Sequence, residues 1–188
     1  MANLYTIRVG ELVRDNIHET LSIANEEMIK IRETEAGKGC IYYDPDGKAC
    51  TIYDHRPAQC AALACWDVSE FMRVYKCLKA ARKDIVRDKV LLGLIEKHEE
   101  KCGYQAVEDC VNRIELEGEK SVNQLIALLK FDYHLRPFVS EKLGIKPTHA
   151  DFLFGRPLTV TITMFGLKVT KEPDGSFFLT ALETDQER

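Results

Sequence analysis

The stretch Cys40-Ile41-Tyr42-Tyr43-Asp44-Pro45-Asp46-Gly47-Lys48-Ala49-Cys50-Thr51-Ile52-Tyr53 decides how the first third of this chain folds. Two short apolar and aromatic runs, Cys40–Tyr43 and Cys50–Tyr53, flank an Asp-Pro-Asp-Gly sequence. Proline presets the φ of a turn, aspartate bonds back to its own backbone, and glycine accepts a left-handed conformation, so a β-hairpin is predicted. Such pairing brings Cys40 and Cys50 toward the base of two neighbouring strands, although the register stays open. Cys60 and Cys65 follow, placing four of the seven cysteines between positions 40 and 65. Four thiolates gathered by a turn-rich stretch are what a tetrahedral zinc ion or an iron–sulfur cluster requires. Cys40, Cys50, Cys60 and Cys65 are therefore the candidate metal ligands.

Upstream, Leu4-Tyr5-Thr6-Ile7-Arg8-Val9 alternates loosely before Gly10, and Glu27-Met28-Ile29-Lys30-Ile31 reads as another strand. Downstream of the cysteines the apolar period lengthens from two to 3.6. Asp67 with Glu70 has the spacing of a capping box, and Trp66 with Phe71 that of a hydrophobic staple. A helix is expected there, burying Val68, Phe71, Met72, Tyr75 and Leu78, with the pattern resuming through Ile85, Leu92 and Ile95 to Gly103. A third helix places Tyr104, Val107, Val111 and Ile114 on one face and stops near Gly118. A fourth starts at Ser121, with Gln124 in the capping-box position, and turns Val122, Leu125, Ile126 and Leu129 inward.

From Gly144 onward the signals are mixed. Thr148 with Asp151 suits the start of a short helix, whereas the β-branched run Thr159-Val160-Thr161-Ile162-Thr163 predicts a strand. Pro173-Asp174-Gly175 between Gly166–Thr170 and Ser176–Thr180 predicts a second hairpin, and the polar Glu183–Arg188 end is expected to fray. The fold class is α+β: a small N-terminal β-lobe bearing the cysteine cluster, a central helical group, and a C-terminal β-hairpin. The expected divisions are 1–66, 67–146 and 147–188, packed as one compact domain.

Composition narrows the function classes. The chain has 188 residues and a formal charge of −4, with a pI near 5.8. It offers no long-range attraction for polyanions, and Lys and Arg are scattered, so nucleic acid is a poor partner. No apolar run approaches the roughly 20 residues that span a bilayer, and the first residues lack a signal-peptide pattern. A cytoplasmic location without membrane association is expected, with a protein partner as the open possibility and no expectation for oligomeric state. In a reducing compartment, thiols bind metal, react or pack more often than they pair as disulfides.

The spacing Cys40-x9-Cys50-x9-Cys60-x4-Cys65 contains no CxxC pair, and alone it is a moderately specific metal motif. Cys50-Thr51-Ile52-Tyr53-Asp54-His55-Arg56-Pro57-Ala58-Gln59-Cys60, with Cys40 before and Cys65 after, resembles the second half of the YkgJ-type cysteine-cluster family. That family is described as zinc- or iron-chelating, with a pattern of the kind C-x-x-C-x-x-C-C followed by C…C-x-I-Y-x-x-R-P-x-x-C-R-x-x-x-C. Two departures stand out: no cysteine precedes Cys40, and Ala61 occupies a position where the family usually has arginine. The resemblance implies that further thiolates belong to a preceding segment, or that this member holds part of a larger site. It also brings an alternative function, because a similar domain occurs in a flagellin lysine-methylating protein.

Arg56 is the candidate cofactor-binding residue. A guanidinium beside thiolates offsets their charge and donates to sulfur, while Pro57 sets the turn that aims Cys60 back toward the strands. His55 lies inside the motif as a minor ligand candidate, and Asp44 and Asp46 read as turn residues. Cys110 shares the face of Val107 and Val111 and reads as core, as does Cys77 beside its helix's apolar stripe. Cys102 is expected to be exposed at a helix end, and His134 and His149 read as helix or cap residues rather than bases. The chain carries no glycine-rich phosphate loop and no Ser/His/Asp or Cys/His arrangement at recognisable spacing. The expected function is a zinc or iron–sulfur metal-binding protein of unassigned role. The alternative is a cluster-dependent enzyme, such as a protein-modifying methyltransferase-like activity.

Overall fold

Strand β1 (Leu4–Ile7), β2 (Leu12–Asp15), β3 (Thr20–Ile23) and β4 (Met28–Ile31) open the chain, β1 pairing with β4 and β2 lying antiparallel to β3. The structure, a computed structural model, describes residues 1–15, 17–34 and 39–182, so the polar tail 183–188 lies outside the described residues. The first and fourth strands match the sequence pattern. The β2–β3 hairpin drew no expectation, because its outer strand Thr20–Ile23 is exposed along its whole length and carries no buried alternation.

The hairpin predicted around Asp44–Gly47 is present but short. β5 (Tyr43–Asp44) pairs with β6 (Ala49–Cys50), Tyr43 opposite Cys50 and Asp44 opposite Ala49. Asp44 Oδ1 accepts from the Asp46 amide at 3.1 Å, the aspartate turn bond expected of this sequence. Next come α1 (Ala58–Ala62), α2 (Ser69–Tyr75) and α3 (Arg82–Ile85).

The helix expected at Asp67 begins at Ser69. Asp67 Oδ1 instead accepts the Ser69 amide at 2.9 Å in a local turn, and Glu70 pairs with Arg73, so no capping box forms. Its expected apolar face is not a core face: no residue of α2 is buried, and Trp66 and Leu78 are 90% and 94% exposed. Periodicity shows which residues share a face; whether another element covers it is a tertiary matter.

The central helices follow the pattern more closely. They are α4 (Lys89–Cys102), α5 (Tyr104–Asn112), α6 (Ile114–Glu117) and α7 (Glu119–Leu143). Gly103 and Gly118 stand where stops were expected, Gly118 at φ +54. α7 starts two residues before Ser121, whose hydroxyl donates to the Cys110 carbonyl at 2.6 Å rather than capping. It buries Ser121, Leu125, Leu129, Asp132 and Val139 along one stripe and continues through Pro137, which removes one helix hydrogen bond.

α8 (Ala150–Phe154) and α9 (Leu158–Thr161) follow, and a 3₁₀ turn spans Ile162–Phe165. The predicted strand over Thr159–Thr163 is thus helical. Pro157 opens it, the Leu158 amide donates to Asp132 Oδ2 at 2.9 Å, and Leu158 and Ile162 are buried, so tertiary burial overrides β-propensity. Thr163 adapts by donating to the Val160 carbonyl at 3.0 Å. The C-terminal hairpin is as expected: β7 (Leu167–Lys171) antiparallel to β8 (Phe177–Ala181), with Gly175 at φ +85 in the turn.

The chain divides into two compact units, Ile31–Ala80 and the combination of Met1–Lys30 with Ala81–Arg188. The larger unit holds two apolar clusters, one built on Val107, Leu125, Leu129, Leu158 and Phe177, the other on Ile95, Val139, Phe152 and Phe154. Cys110 is in the first cluster as expected. Cys102 is there too, fully buried, because the last turn of α4 is roofed by α7; burial pushes its thiol up to about 12. Cys77 is exposed, since it follows the end of a helix that has no covered face.

Candidate metal centre

All four candidate ligands lie in the smaller unit, and each is a free thiol: Cys40, Cys60 and Cys65 exposed, Cys50 half-buried. Cys40 is held by a bridge with Glu33 and accepts the Tyr42 amide on Sγ at 3.5 Å. Cys50 ends β6, where the Thr51 amide donates to the Tyr42 carbonyl at 2.8 Å. Tyr53–His55 forms a single 3₁₀ turn, Pro57 stands extended at φ −52 and ψ 151 as the residue before α1, and α1 carries Cys60. Cys65 sits in a turn closed by the Ala64–Asp67 bridge.

Three of these thiols are coupled through their charge. Partial burial, and then the negative charge of Cys40 and Cys50, push the Cys60 thiol up, while Arg56 pulls it back. Mutual disfavour among thiolates is the condition that a cation relieves. Arg56 stands near Cys60, but its Nε donates to the Tyr53 carbonyl at 2.8 Å and its guanidinium lies 3.5 Å over the Tyr53 ring. Among the described residues, no three His, Cys, Asp or Glu side chains form a group that could hold a metal ion as they stand. Thiols are the donor type a thiophilic metal takes, but among the described residues these side chains do not form a closed set.

A comparison with known families bears directly on this unit. Residues 7–78 match a metal-chelating family. Its description reads "CxxCxxCC: Putative zinc- or iron-chelating domain". The match takes in all four cysteines and bears out the resemblance drawn from Cys50–Cys60, although the eponymous cysteine block is not among these 188 residues. No curated protein and no solved structure matches the chain.

The larger unit holds a second polar constellation that the sequence reading passed over. His98 on α4 and Asp132 on α7 are both fully buried, with Nε2 of His98 2.8 Å from Asp132 Oδ1. Burial keeps the imidazole below its ordinary value despite Asp132, so Nε2 carries the proton of a neutral ring and donates it. Burial alone would raise Asp132, but the His98 hydrogen bond and the Arg136 charge outweigh it and hold the carboxyl at about 2. Around this pair, Arg8 donates to Glu99 and to the Cys102 carbonyl, Arg82 to Glu27, Glu99 and the Leu153 carbonyl, and Arg136 to Asp132, Asp151 and the Gly155 carbonyl. A sequence signal existed. Asp132 falls on the stripe of Leu125 and Leu129, and His98 on that of Ile95 and Cys102, and a charged residue on an inward stripe must be paired. His134 is exposed and His149 closes a 3₁₀ turn, in keeping with their reading as structural residues.

Proposed function

We propose that Ile31–Ala80 is a metal-chelating lobe whose ligands are Cys40, Cys50, Cys60 and Cys65, with Arg56 moderating thiolate charge. The observation that carries this reading is physical. None of the described residues of 31–80 is buried, and its thiols are not joined as disulfides. Ordering a residue costs about 1–2 kcal/mol of backbone entropy, and units of this size seldom meet that cost without a staple. A metal held by four thiolates ties the hairpin, α1 and the following turn to one point, and its binding free energy becomes folding free energy. The family match over 7–78 supports the same reading.

Zinc would supply a structural crosslink, and an iron–sulfur cluster would add electron transfer. Anaerobic purification followed by elemental analysis and a visible spectrum separates them: colourless protein with stoichiometric zinc, or brown protein with iron and sulfide. Replacing Cys50 and Cys60 by serine removes the metal in either case. Full-length protein that retains neither metal under these conditions defeats the proposal.

A further inference from the structure

The chain leaves the larger unit after Lys30 and re-enters it at Ala81, and the four candidate ligands lie between those two points in sequence. Glu27, just before β4, and Arg82, the first residue of α3, meet although they are 55 positions apart. The Arg82 amide donates to Glu27 Oε1 at 2.6 Å, and its Nε and Nη2 both donate to Glu27 Oε2, at 3.0 and 2.5 Å. One carboxylate thus holds both the backbone and the side chain of the segment that returns from the smaller unit.

This pair is built in rather than laid on the surface. The Arg82 side chain is 3% exposed and that of Glu27 21%. Burial alone would raise the Glu27 carboxyl, but its hydrogen bonds with Arg82 outweigh burial and hold it below the usual carboxylate range. Arg82 is itself fixed: Nη1 donates to the Leu153 carbonyl at 2.6 Å and Nη2 also to Glu99 Oε1 at 2.8 Å. Hydrogen bonds between charged partners are roughly twice as strong as neutral ones. Each chain end has a seat of its own as well. β4 pairs with β1, while Asp84 Oδ2 accepts the Ala81 amide at 2.8 Å and Val86 enters the second apolar cluster.

We propose that Glu27 and Arg82 form a clasp that joins the two ends of the cysteine lobe and thereby raises its affinity for metal; this role rests on the metal reading of Ile31–Ala80. Holding the ends of a loop together removes conformations from its metal-free ensemble. Less entropy is then lost when the thiols are drawn to one ion. Both are positioning residues, acting through the chain ends rather than on the metal. By linkage the coupling is reciprocal: the factor by which the clasp strengthens metal binding is the factor by which metal strengthens the clasp.

The test is a titration of the reduced, metal-free full chain with zinc in competition with a chelator of known affinity, on the native chain, Glu27→Gln and Ile95→Val. Glu27→Gln keeps the side-chain shape and removes the charge, and should weaken zinc about tenfold, the loss of one hydrogen bond to a charged group. Ile95→Val trims the second apolar cluster without touching the clasp, and should leave zinc affinity within about twofold. Amide exchange in α7 shows that each variant is folded. In the native chain, zinc should also slow exchange of the Arg82 amide about tenfold, a response that a merely structural pair would not give. Equal zinc affinity in the native chain and Glu27→Gln, an equal loss in Ile95→Val, or an Arg82 amide in the native chain that ignores zinc would each overturn the clasp and leave the metal reading standing. Zinc binding by the native chain no tighter than by Cys50→Ser would overturn the metal reading for this ion, and this role with it.

Discussion

The unit Ile31–Ala80 buries none of its described residues, whereas the unit of Met1–Lys30 and Ala81–Arg188 buries side chains as different as Phe152, Arg8 and Asp132 completely. The larger unit can afford charged groups inside because its apolar clusters pin the helices that carry them, and each charge then finds its partner at fixed distance. The smaller unit has turns, a two-residue ladder and short helices, with Trp66 and Leu78 facing outward. The same chain therefore uses two sources of order: apolar packing in one unit and, on the proposal above, thiolate–metal bonds in the other.

The contrast is most sharply broken by metal removal. Structural zinc sites in small peptides are worth about 10–16 kcal/mol, so chelation should abolish amide-exchange protection in 31–80 and leave α4, α5 and α7 protected. Equal loss in both units would show that they do not differ in their source of order. Next in size is Asp132→Ala, which leaves His98 and Arg136 facing an empty partner in the interior; a loss of about 3–5 kcal/mol is expected from urea unfolding. A loss under 1 kcal/mol would mean the network is ornamental.

Leu129→Ala, in the first apolar cluster, should cost about 2–5 kcal/mol, whereas Trp66→Ala and Leu78→Ala should each stay within about 0.5 kcal/mol. Comparable losses at Leu129 and Trp66 would erase the distinction in packing. Acid is the mildest probe. Asp132 is held at about 2 in the folded chain, against about 3.9 when unfolded, so its contribution is complete above about pH 4 and is lost as pH falls toward 2, worth about 2.6 kcal/mol. His98, held below its ordinary value, works in the same direction at higher pH: the unfolded chain takes up its proton first, and stability declines as pH drops below about 6.5. Urea midpoints measured from pH 7 to pH 2 should decline more steeply for the native chain than for Asp132→Asn. Parallel curves would remove Asp132 from the account.

Much of the candidate site was legible because its signals are local. The Asp-Pro-Asp-Gly turn, the Ile52-Tyr53 and Arg56-Pro57 pairs, and the four cysteines are all read within one short stretch. The buried network was not legible in the same way, since Arg8 just after β1, His98 on α4 and Asp132 on α7 meet only when those parts of the chain pack. The Thr159–Thr163 segment failed for a related reason: its β-branched residues favour a strand until Asp132 and the first apolar cluster claim it as a helix.

Turn chemistry and apolar period, acting between residues close in sequence, by themselves determined the α+β class, the two predicted hairpins, the α5 and α7 faces and the cysteine motif. Only the tertiary structure decided which apolar faces are covered, that Cys102 is inside and Cys77 outside, and that three arginines, a histidine and their carboxylates share one interior. Coverage and charge pairing depend on elements far apart in sequence, and no local pattern encodes which of them will meet.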